Sequence, residues 1–247
     1  MTNEFVVCAT LVLLLRLRLL LGDASVRPPS WAAKCAIELA ALGLFAPSRM
    51  LWALAATSVG INALSAWADR RAADRNGSRL LLGIVHVLLL SVWLSSAAGV
   101  RFRPELHGLA DWLESWSALG GEARRLVGPA GMKMAFGMLL AANEANLLVR
   151  WLLGRLQIKP GAPSLLGPTI DASEFNRGRV IGLLERVLIY AFVLTGQFGA
   201  IGFTLAAKGF TRFKELENRG FAEYVLIGTL LSSSVAMAIG AWIKSVL

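Results

Sequence analysis

In the stretch GRVIGLLER, Gly178, Gly182 and Glu185 fall at i, i+4 and i+7, so they share one face of a helix. Two glycines let a neighbouring backbone approach, and the carboxylate then sits beside that contact. A carboxylate so placed can bind a proton or an ion, or join Arg186 in recognising a charged headgroup. A structural ion pair that locks helix packing fits the same pattern. No basic residue stands three or four positions from Glu185, so its partner comes from elsewhere, with Arg150, Lys208 and Arg212 as candidates.

A second constellation is AANEANLLVR, residues 141–150, where Asn143, Asn146 and Arg150 share a face with Glu144 beside it. Amides inside an apolar helix hydrogen-bond a neighbouring helix, at about 1 kcal/mol each. Glu144 needs a partner or a proton there, which leaves packing glue and a solute or proton path both open. His86, alone in an apolar run, reads as a hydrogen-bonded core residue, and His107 as solvated. Cys8 and Cys35 match no metal or redox spacing and read as free thiols acting as small hydrophobes. There is no HExxH, Cys/His cluster, Walker loop or GxSxG elbow, so no catalytic residue, metal or cofactor is expected.

The elements that must hold these residues are apolar. Of 247 residues 56% are hydrophobic and 17% charged, with a mean hydropathy of +0.61, whereas a soluble domain carries about 25% charged residues. The apolar residues fall in blocks of about 16 to 24, the length that crosses a bilayer. The net charge of +9 would suggest nucleic acid in a soluble protein. Here the basic residues sit between apolar runs, where they set topology and meet anionic lipid headgroups, so no nucleic-acid partner is expected. The N-terminus lacks a basic region and a cleavage pattern, and reads as a retained helix with Arg16 and Arg18 near one interface.

Apolar runs cover residues 5–21, 31–46, 50–67, 80–98, 130–153, 187–207 and 221–242. In the second, Lys34 and Glu38 form an i,i+4 pair that can satisfy itself at an interface. The third carries a stripe of Ala53, Ala56, Gly60 and Ala63. Residues 69–79 read as a polar loop with Arg70, Arg71, Arg75 and Arg79, on the cytoplasmic side together with residues 154–179. Residues 104–119 read as an amphipathic surface helix with Trp112 and Trp116 at headgroup level. Asp171 and Glu174 form a capping box that starts a helix near Ala172, running along the interface to Arg186 before entering the bilayer at Val187.

Small residues recur every fourth position at Gly137, Ala141 and Ala145, and again at Gly228, Ser232, Ala236 and Gly240, as faces for close helix contact. Gly196, Gly199, Gly202 and Ala206 give a similar face, dense enough in glycine to permit a bend. The expected fold is all-α: a polytopic transmembrane helix bundle of six to seven spans plus an interfacial amphipathic helix. It forms one integral membrane domain over 1–247, with N-terminal helices in 1–153 and a C-terminal module in 171–247.

Three pieces, GRVIGLLER (178–186), AAKGFTRF (206–213) and AEYVLIGTLLS (222–232), stand in the order of a known signature. They resemble the C-terminal part of a bacterial and prophage membrane family, a domain of unknown function. The resemblance singles out Glu185, Arg186, Lys208, Arg212, Glu223 and Tyr224 as polar positions, and fits a multi-pass protein of the bacterial inner membrane. It implies an architecture and no reaction. The leading expectation is a non-enzymatic membrane subunit that assembles with itself or with another membrane protein. A small-solute, ion or proton transporter or channel, and a lipid-acting enzyme using Glu185 and Arg186, are the alternatives.

Overall fold

Helix starts in the first half of the chain are set by side chains that replace missing backbone partners. Thr2 accepts from the Phe5 amide at 3.3 Å ahead of α1 (Asn3–Arg16), and Ser48 from the Leu51 amide at 3.1 Å ahead of α3 (Arg49–Arg71). Asp74 accepts from the Gly77 amide at 2.8 Å ahead of α4 (Arg75–Trp93). Between them α2 (Pro28–Leu42) opens on two prolines, which lack the amide hydrogens a first turn cannot use. The later elements are α5 (Pro129–Leu139), a π-helical turn (Leu140–Glu144), α6 (Ala145–Arg155), α7 (Ala172–Thr195), α8 (Phe198–Thr211) and α9 (Arg219–Val246). This computed structural model describes residues 1–20, 24–105, 128–156, 172–211, 213, 217 and 219–247. Among the described residues every regular element is helical.

Three helices, Arg49–Arg71, Arg75–Trp93 and Ala222–Val246, are long and apolar enough to cross a membrane. The 23 residues of α3 extend about 35 Å, against a hydrocarbon thickness of about 30 Å. The described residues thus form an all-helical structure whose three long apolar helices are those of a membrane protein by length and composition. It divides into two compact units, Met1–Leu139 and Leu140–Leu247.

In the first unit α3 and α4 bury polar groups beside apolar ones and turn large apolar side chains outward. On α4 the buried face is Arg79, Gly83, His86 and Leu90, while Leu81, Ile84, Leu88 and Val92 point outward. On α3 Ser58, Asn62, Ser65 and Asp69 are buried and Trp52, Val59 and Leu64 exposed. Polar groups inside and apolar groups outside is the partition that lipid imposes. α2 packs on α3, α3 on α4, and α1 on α5, with Phe5 edge-on to Phe136 at 6.0 Å. At one end Ala46 and Arg103 amides donate to Arg101 and Leu44 carbonyls at 3.0 and 2.9 Å, beneath stacked rings of Phe45 and Phe102.

Several expectations are corrected here. Lys34, Glu38 and Arg16 are buried within the unit. The polar loop of 69–79 shrinks to residues 72–74 because Asp69 and Arg79 belong to helices and are buried. The stripe of Ala56, Gly60 and Ala63 faces outward, with no atom within 4 Å of a Cβ at Gly60.

In the second unit α7 packs along α9, around Ile189, Val193, Ile201 and Ala236. The run 187–207 is not one continuous helix. α7 ends at Thr195, Gly196 takes φ +74°, and the Gln197 amide donates to the Phe192 carbonyl at 2.8 Å, the bond of a Schellman stop. The helix start near Ala172 is observed, and α7 continues without a break through Arg186, which is buried, to Thr195. The capping residue Asp171, most of the amphipathic stretch 104–119 with His107, and the loop 157–170 lie outside the described residues.

Candidate functional site

α2 places Trp31, Lys34, Glu38 and Leu42 on one buried face. From it Lys34 Nζ donates to Glu38 Oε1, an ion pair shut off from solvent. α3 brings Asn62 against both partners: its Nδ2 donates to Glu38 Oε2 at 2.5 Å, and its Oδ1 accepts from Lys34 Nζ at 2.8 Å. The same amide also donates to the Ser58 carbonyl at 2.8 Å, which pins it to its own helix. α4 adds His86, whose Nε2 stands 4.0 Å from Glu38 Oε2. That nitrogen is buried and has no hydrogen-bond partner among the described residues. Lys34, Glu38, Asn62 and His86 are 2%, 5%, 3% and 3% exposed. An acid, an amine, an imidazole and an amide from three helices therefore share one enclosed space.

A second ionic junction lies toward the 72–74 turn. Arg79 Nε donates to Asp69 Oδ1 at 2.7 Å, and its Nη2 to the Ala24 carbonyl at 2.7 Å. Asp69 Oδ2 accepts from the Val26 amide at 2.6 Å, and Arg16 Nη2 donates to the Arg79 carbonyl at 2.8 Å. Arg18 stacks on the Trp31 ring at 4.5 Å and donates to the Ser30 carbonyl. The junction ties α3 and α4 to the segment between α1 and α2, at the end from which Lys34 and Glu38 descend.

In the second unit Arg186 is the centre. At 4% exposure its Nε donates to the Ala141 carbonyl at 3.0 Å and its Nη2 to Ala142 O at 3.4 Å and Asn146 Oδ1 at 3.2 Å. Its Nη1 donates to Ser232 Oγ at 3.3 Å. A π-helical turn widens the helix and turns carbonyls outward, and the guanidinium fills the opening. Gly182 lies one turn before, where a Cβ would touch Arg186 Nη1 at 3.5 Å.

Glu185 is a separate pair, with Lys208 Nζ donating to its Oε2 at 2.5 Å. Of the three partners considered, Lys208 is the one found; Arg212 lies outside the described residues. Asn143 is fully buried and donates to Glu144 Oε1 at 3.0 Å, while its own Oδ1 has no partner among the described residues. Arg150 is half-buried on α6. Glu223 is exposed and pairs with Arg219 at 3.0 Å, away from the others, and Tyr224 is half-buried.

The small residues divide by role. A Cβ at Gly240 would lie 2.9 Å from Val193 Cβ, and one at Gly228 3.7 Å from Leu153 Cδ1. Ala141, Ala145 and Ala236 are buried, as is Gly137 on α5; Gly178 is half-buried. Gly199 and Gly202 face open space.

Among the described residues no group of three or more His, Cys, Asp and Glu is placed to hold a metal ion. The Lys34–Glu38–Asn62–His86 set was not assembled from the sequence. Its signals were present as the i,i+4 pair, an amide in an apolar run and a lone histidine, but nothing local shows that the three meet. The chain matches no protein-family model, no curated protein and no solved structure.

Proposed function

We propose that this is a multi-pass membrane protein that moves protons or small cations across the bilayer through Lys34, Glu38, Asn62 and His86. The observation that supports the reading is the burial of three ionisable groups in mutual reach, Lys34 and Glu38 on α2 and His86 on α4, with Asn62 of α3 bonded to two of them; α3 and α4 are both able to span. Hydroxyls and amides suffice to hold helices together in lipid, whereas ionisable groups there are costly and mark ion pathways or proton relays. The six to seven passages expected from the sequence, and a bacterial inner membrane as location, belong to this proposal. So does membership of the family that the three C-terminal pieces resemble.

The test is flux. Protein reconstituted in liposomes with an internal pH-sensitive dye should acidify or alkalinise the lumen when a potassium-diffusion potential is imposed. Glu38→Gln should slow this by at least about tenfold, the scale on which a relay carboxylate acts. Wild-type vesicles no faster than empty ones would sink the proposal.

A second reading, assembly into a homo-oligomer or with another membrane subunit, is favoured by α8. Gly199, Gly202 and Gly209 have no atom within 4 Å of a Cβ, and Phe203 and Phe210 beside them are 76% and 81% exposed. A bare glycine face in lipid lets a second helix come close. Gly202→Leu should then shift the mass of the detergent-solubilised particle to that of one chain; wild type already running as one chain discards this reading.

A further inference from the structure

We propose that Lys34, Glu38 and His86 form a two-position proton relay, in which Glu38 stays a carboxylate and its counter-cation is either Lys34 or His86, one at a time. This deepens the transport reading and names the proton as the ion.

Glu38 is the shared acceptor. Its Oε1 is held by Lys34, and its Oε2 faces His86 Nε2 across 4.0 Å. Asn62 fixes the carboxylate between them by bonding Oε2 at 2.5 Å and the Lys34 ammonium at 2.8 Å. The imidazole nitrogen is buried, has no hydrogen-bond partner among the described residues and is one short movement from an ion pair with a carboxylate. A merely structural histidine in such a place would be expected to have its hydrogen bond.

The surroundings make the two cations mutually exclusive. From α1 and the turn after it, Arg16 and Arg18 bear on Lys34. Lys34 and Arg16 bear on His86. Cys8 of α1 and Cys35 of α2 are thiols within the field of Glu38. From α3 and α4, Asp69 and Arg79 are committed to each other. One carboxylate therefore answers two adjacent basic groups, with arginines adding positive charge on the same side. Charging the second repels the first.

In the arrangement observed, Lys34 holds the carboxylate. Uptake of a proton forms an Nε2–H bond on His86, and the imidazolium closes on Oε2. An Nζ–H bond of Lys34 then breaks, its proton leaves to water, and a neutral amine remains. Net charge is unchanged, and water delivers and accepts the two protons, which requires it to enter a site that is closed to solvent in the arrangement observed.

The relay is tested without a gradient by following the imidazole nitrogens of His86 by NMR across pH, in lipid nanodiscs and in a His107→Gln background. Lys34→Met should show imidazolium at a pH where the wild type holds His86 neutral. Lys34→Arg puts in a cation that cannot release its proton. It should keep His86 neutral throughout and lower proton flux at least about tenfold, with the melting temperature of the wild type. If Lys34→Met does not fold, the arginine variant decides. Identical His86 titration in wild type and variants overturns the relay, whatever the flux. The expected spectra with no wild-type flux would keep the relay and remove the transport reading.

Discussion

Arg186 shows how far one residue can depart from its reading in the sequence. Residues 178, 182 and 185 share a face by helical spacing, which drew attention to the carboxylate. The buried face of α7 instead runs through Arg186, Ile189 and Val193. One residue is about 100° of helix, and which side faces inward is decided by the π turn of 140–144, which nothing in residues 178–186 reveals. Arg186→Ala should destabilise the protein by about 3 kcal/mol, because the Ala141 and Ala142 carbonyls and Asn146 lose their donor in a buried place. Arg186→Lys should recover less than half of that, since one ammonium cannot span acceptors on two helices. Unfolding in mixed micelles, monitored by circular dichroism, measures both. A variant within about 0.5 kcal/mol of wild type would mean that the guanidinium holds nothing.

At the level of elements, helix class and several helix positions were legible, because long apolar blocks in lipid have few alternatives to a helix. Breaks were less so. Hydropathy averages over Thr195–Gly196–Gln197 and reports one run, while a left-handed glycine and a single backbone bond stop α7 there. Stripes of small residues were visible, but sequence spacing cannot tell a face turned to a neighbouring helix from one turned outward. Matched glycine substitutions separate the two. Gly240→Ala sets a Cβ 2.9 Å from Val193 and 3.4 Å from the Tyr190 carbonyl, so α9 must move off α7. A loss of about 1–3 kcal/mol follows from such overpacking. Gly202→Ala meets open space and should be neutral, or more stable by up to about 1 kcal/mol through helix propensity. Equal effects at the two positions would contradict the packing of α7 on α9.

Across the whole molecule, the first unit explains why composition revealed a membrane protein while concealing its site. Mean hydropathy counts apolar residues wherever they point, and on α3 and α4 many of the large ones point outward. Ser58, Asn62, Ser65, Asp69, Arg79 and His86 point inward, and Asn62 and His86 meet Lys34 and Glu38 because α2, α3 and α4 pack as neighbours, a pairing that only the tertiary structure supplies. The same arrangement fixes sidedness within the unit. The α3–α4 hairpin turns at 72–74 beside exposed Arg70, Arg71 and Arg75, while its open end, where Ala46 bonds to Arg101, carries Arg49, Arg101 and Arg103. Both ends carry three arginines, but those at the turn stand against Asp74 alone, Asp69 being spent on Arg79, whereas those at the open end stand against Glu4, 3.9 Å from Arg101, and Glu105. The turn therefore keeps the larger free positive charge and should face the cytoplasm. With Cys8 and Cys35 replaced by alanine, Ala73→Cys should react with a membrane-impermeant maleimide only in inside-out vesicles, and Ala97→Cys only in right-side-out ones. Labelling of both positions from one side would mean that α3 and α4 do not cross, and would take the buried Glu38 cluster out of the membrane with them.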